Sequence, residues 1–125
     1  MLKYQVVVEK GAVASYLKDK GIERDIQGFF VMQATENGKI VGMGAASMNP
    51  AYAVIEELVC DDDAIAYGMG KAMLNSLDLG GIQHVLINNE SLYPLAKQLR
   101  FTETGEGTYS VSLEGYFTSG CGKNL

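Results

Sequence analysis

The chain has 125 residues, 47% of them apolar and 20% charged, which is the balance of an ordinary globular domain with one core. Its formal net charge is -5, from 15 acids against 10 bases. That excludes the basic footprint of a nucleic-acid or anionic-membrane binder. No apolar run reaches the length of a membrane span, and the N-terminus turns charged too early for a secretory signal. Two widely separated cysteines and one histidine, His84, suggest neither a disulfide framework nor a metal site, so a cytoplasmic location and no metal are expected.

Residues 3–8 are rich in β-branched side chains and read as a first strand. From Gly11, the spacing of Val13, Tyr16 and Leu17 predicts a short amphipathic helix that stops at Gly21. Residues 29–35 and 39–48 flank Asn37-Gly38, a hairpin signal, and Asn49-Pro50 marks the next turn. Residues 52–60 form a strand apolar on both faces, hence central. A second helix is expected from Met69 to Leu79, ending at Gly80-Gly81, then a strand from His84 to Ile87 and a third helix from Ser91 to Leu99. One or two strands over residues 108–117 close the chain, leaving residues 118–125 as a loose tail. This order predicts a single α/β domain, a mixed sheet with helices on its faces.

The chemistry concentrates in residues 55–71. There a buried strand enters a loop, then Gly68 and Gly70 at i and i+2, then the expected helix start. Glycines at that place let backbone N–H groups approach a phosphate, and the helix dipole favours its charge. A tight strand-to-helix turn would need the same two residues.

The strand, the Gly-x-Gly, the following strand, Asn89 and a helix ending in Leu99-Arg100-Phe101 resemble the GNAT superfamily of acyl-coenzyme A N-acyltransferases over about residues 28–104. The resemblance implies a GNAT-like mixed sheet with helices on both faces, acetyl-coenzyme A as cosubstrate, and direct acetyl transfer to a small-molecule or peptide amine. It implies a pyrophosphate held by amides of Ala66, Tyr67, Gly68, Met69, Gly70 and Lys71. The pantetheine arm would lie along Leu58, Val59 and Cys60. Asn89 becomes an N-cap or a coenzyme contact. Glu56 or Glu57 would take the amine's proton, since neighbouring strand residues face opposite sides and one must face a cleft; an ion pair with a lysine is the other reading of these glutamates.

Three positions depart from the family pattern. Ile65 stands where a Gln or Arg belongs, Ala96 where the tyrosine acid belongs, and Arg100 where glycine belongs. Tyr93, one helical turn from Ala96, is the substitute acid, or an aromatic at a helix edge. Three functions follow: an N-acetyltransferase, a degenerate relative that binds acyl-coenzyme A or a protein partner without turnover, or an unrelated binding module. A homodimer through the apolar strand Tyr109–Leu113 is a further expectation.

Overall fold

The computed structural model describes residues 1–119; Cys121 and the rest of the expected tail from Gly120 lie outside them. The chain runs β1 (Leu2–Val7), α1 (Gly11–Asp19), β2 (Phe30–Glu36), β3 (Lys39–Met48), β4 (Tyr52–Cys60), α2 (Asp63–Leu79), β5 (His84–Ile87), a 3-10 turn (Glu90–Leu92), α3 (Tyr93–Gln98), β6 (Thr102–Gly105), β7 (Thr108–Ser112) and α4 (Tyr116–Ser119). The seven strands make one mixed sheet in the order β1-β2-β3-β4-β5-β7-β6. Only β4 and β5 pair parallel; every other neighbour is antiparallel.

Local chemistry sets these elements. Asn37 and Gly38 both have positive φ, 53° and 83°, as the two-residue turn between β2 and β3 requires. In α1, Val13 and Leu17 lie one turn apart and face the sheet, where they join Ile26, Val31, Met43 and Ala45 in a small core. On the opposite face α2 buries Met69, Met73, Leu74 and Leu77 against the strands, and α3 adds Leu95 and Ala96 to this larger core.

Three expectations are corrected. Helix α2 begins at Asp63 and not at Met69, because Asp62 caps it: the Asp62 side chain accepts from the Ile65 amide at 2.8 Å, and the Ala66 amide already bonds the Asp62 carbonyl at 3.0 Å. A further strand, β6, precedes the closing segment, hidden by its polar residues Thr102-Glu103-Thr104-Gly105, and Tyr116-Phe117 lies in α4, not in a strand. Strand β7 is not an edge, because β6 covers it and occupies that margin of the sheet.

The sheet is irregular where it matters. Ala45 pairs with Glu57 but Ala46 pairs with Ile55, so Glu56 is an extra residue, a β-bulge in β4. Beyond it β4 and β5 separate: they pair only over Tyr52–Val54 and His84–Leu86, while β4 continues to Cys60.

Candidate functional site

The separation of β4 from β5 opens a cleft of about 470 Å³, walled by Leu58, Val59 and Cys60 on the strand, Asp62, Asp63 and Ala66 at the start of α2, and Leu92, Leu95 and Gln98 on the far side. Its depth is apolar and its rim acidic. The Asp61 amide donates to the Val41 carbonyl on β3 at 2.8 Å. Backbone groups alternate direction along a strand, so those of Leu58 and Cys60 turn the other way, toward the cleft, where β5 is no longer present to pair them. An extended chain with its own amides fits such an edge. Asn89 stands where the strands part: its Nδ2 donates to the Glu56 carbonyl at 3.2 Å, while its Oδ1 accepts from the Ser91 amide and caps the 3-10 turn.

Residues 66–71 lie inside α2, where N–H groups bond to carbonyls four residues back. Of the six, Ala66 alone lines the cleft. A Cβ on Gly68 would strike the Tyr4 ring and hydroxyl of β1, and one on Gly70 would meet Leu99 Cδ1 at 2.6 Å. The two glycines therefore serve helix packing. Met69 is fully buried beneath them. Tyr67 is exposed, away from the cleft. The Lys71 ammonium sits 4.9 Å over the Tyr116 ring and 5.4 Å over Phe117, held by α4. At the helix start itself, the Asp62 carboxylate accepts from the Ile65 amide, with Asp63 next in the chain.

The proposed base and acid are also engaged. Arg24, from the segment after α1, lies 3.1 Å from Glu56 and 3.4 Å from Glu57; the bulge brings both glutamates to it. Ser47 donates to the second oxygen of Glu56 at 2.8 Å. The cation expected beside these glutamates was a lysine; the arginine that fills the role sits in a loop whose place the sequence did not reveal. Tyr93 does not reach the cleft. Its hydroxyl donates to the Gly107 carbonyl at 2.7 Å and its ring packs 4.9 Å from Tyr109, so it pins the β6–β7 turn. Ala96 is fully buried.

Electrostatics at the mouth follow from burial. Burial pushes the Cys60 thiol up to about 12; a hydrogen bond from the Met43 backbone opposes this and Asp61 and Asp62 add to it. Asp61 is held below the usual carboxylate range by hydrogen bonds from Lys20, at 2.9 Å, and from Tyr16, at 2.7 Å.

No family model matches the chain, and no curated protein matches its sequence. Solved structures do match. The ribosomal-protein-S18-alanine N-acetyltransferase from Escherichia coli superposes with a TM-score of 0.71 at 15% identity, over 100% of this chain and 99% of that one. The IAA acetyltransferase from Bacillus cereus ATCC 14579 gives 0.71 at 11%, over 90% and 99%. N-acetylglutamate synthase from Neisseria gonorrhoeae, complexed with coenzyme A and N-acetyl-glutamate, gives 0.71 at 10%, over 90% of this chain and 35% of that one. The chain therefore has the fold of the GNAT N-acetyltransferases, with a mixed seven-stranded sheet parted between β4 and β5. No helix among the described residues is long and apolar enough to cross a membrane.

Proposed function

We propose that this chain is a binding member of the N-acetyltransferase fold: an extended, amide-bearing chain lies in the cleft along Leu58–Cys60, and no acetyl group passes from acetyl-coenzyme A to an amine. The observation that carries this reading is the start of α2. With the helix wound back to Asp63 and capped by Asp62, the amides of residues 66–71 bond within α2 and the Ile65 amide is taken by the Asp62 carboxylate. A hydrogen bond to a charged group contributes about 1.5–3 kcal/mol, so each donor withdrawn from a diphosphate weakens its binding on that order. Asp62 and Asp63 on the cleft wall then meet that anion with like charge.

One observation favours the second reading, an acetyl-coenzyme A-dependent N-acetyltransferase acting on a small-molecule or peptide amine: the open β4 edge suits the pantetheine arm. S-acetylpantetheine, which has the arm without the nucleotide, separates the two. The binding reading predicts that acetyl-coenzyme A raises the melting temperature no more than S-acetylpantetheine does at equal millimolar concentration, and that no thiol is released across a panel of amines. A far larger shift with acetyl-coenzyme A, together with thiol release, establishes the second reading instead.

A further inference from the structure

Asn89 marks the place where β4 runs out of a pairing partner. Its Nδ2 takes the Glu56 carbonyl; beyond it, Leu58 and Cys60 turn their backbone groups to a wall that offers no strand. That wall presents Leu92 and Leu95 to the depth of the cleft. It also presents the side-chain amide of Gln98, which has no hydrogen-bond partner among the described residues. Charge in the cleft is one-sided. Among the described residues its lining holds two carboxylates, Asp62 and Asp63, and no lysine, arginine or histidine. Asp62 caps α2, but Asp63 has neither a hydrogen-bond nor an ion-pair partner among the described residues. Nearby cations are turned away: Lys71 and Arg100 lie over the Tyr116 ring, and Lys97 lies over Tyr109.

The occupant of such a cleft must bring amides in extended spacing, an apolar side chain and positive charge. A peptide laid on a strand edge brings the first two: its main chain supplies affinity, and pockets for alternate side chains supply specificity. At about 3.3 Å per residue, the edge from Leu58 to Cys60 seats about three residues of it. We propose that the chain bound in the cleft is a polypeptide strand carrying a lysine or arginine. Its backbone pairs with Leu58 and Cys60, an apolar side chain enters between Leu58 and Leu95, and the cation lies at the mouth against Asp63. There a cation is attracted where a phosphate-bearing arm is repelled. This inference rests on the reading of the cleft as a site for an extended chain, and it names the chemistry of that chain.

The test is an NMR titration of the isotope-labelled full chain with three peptides, Lys-Val-Leu-Val-Lys, Gln-Val-Leu-Val-Gln and Glu-Val-Leu-Val-Glu. Both ends are blocked, and the symmetric order presents the same side chains in either direction. The lysine peptide shifts the amides of Leu58 and Cys60 along a saturating curve. At low ionic strength its Kd lies about tenfold below that of the glutamate peptide, with the glutamine peptide between. N-methylation of its three central amides abolishes the shifts. Asp63→Asn brings the three affinities together. Asp78→Asn, about 22 Å away along α2, removes the same charge and leaves their order unchanged. Equal affinities, shifts away from the β4 edge, or the same levelling in Asp78→Asn overturn the proposal. If no peptide moves the β4 amides while S-acetylpantetheine does, this inference falls and the extended-chain reading stands. If neither moves them, both fall.

Discussion

Cys60 is the residue that reports most simply on the cleft. Its thiol lines the wall, half-buried, and with burial holding it up to about 12 it is almost wholly protonated near neutrality. The thiolate is the reactive form, so in a Cys121→Ser background Cys60 should alkylate on the order of a thousandfold more slowly at pH 8 than an unperturbed cysteine of pKa about 8.5. Mass spectrometry after timed iodoacetamide treatment checks it, and a rate near that of a free thiol contradicts the burial. Gly70 offers a second test. Alanine there drives a methyl group into Leu99, which is fully buried and has nowhere to go. Overpacking costs about 1–3 kcal/mol, against about 1 kcal/mol gained in helix propensity, so Gly70→Ala should lose about 1 kcal/mol in urea unfolding. A glycine reserved for a ligand would show the opposite sign in the free protein.

The elements that carry function differ from expectation at their ends. That α2 existed was legible from Met73, Leu74 and Leu77 and from the stop at Gly80-Gly81. Its start was not, because Gly68 and Gly70 read as a loop. They are tolerated in mid-helix because β1 and α3 pack against their bare faces, a tertiary fact that no local spacing carries. The cap was in view as Asp62 with Ile65 three residues on, hidden in a run of three aspartates. Asp62→Ala should cost about 1 kcal/mol of stability, measured by urea unfolding at neutral pH. Asp61 acts differently. Its folded pKa lies below the unfolded one, so its contribution is present above the unfolded value, about 3.9, and is lost as pH falls through the folded value. The stability gap between wild type and Asp61→Asn should therefore be open at pH 7 and close below pH about 4; a gap that persists in acid contradicts the Lys20 and Tyr16 contacts as its source. Arg100 shows a readable departure with a visible consequence. At φ 68° it holds the left-handed conformation that favours glycine, and its guanidinium lies 4.1 Å over the Tyr116 ring, an interaction glycine lacks.

For the whole molecule, the alternation of β1 to β4, the Asn37-Gly38 turn and the parallel return through α2 to β5 were legible, because hydrophobic period and turn chemistry are local. The topology that makes the site was not. A bulge at Glu56, the parting of β4 from β5 and the reach of Arg24 to two glutamates all depend on residues far apart in sequence. The Gly-x-Gly segment shows why a motif needs its context: the same residues stand at the same distance from the strand, yet they are wound into a helix whose N-terminus is closed by a carboxylate. The cleft between β4 and β5 is open in this chain, while the amides of residues 66–71 are wound into α2. Amide hydrogen exchange by NMR tests that point most directly. The amides from Tyr67 to Lys71 should exchange as slowly as those in the middle of α2, with rates and chemical shifts unchanged by millimolar coenzyme A. Rapid exchange across those residues, or shifts confined to them when coenzyme A is added, would contradict the account.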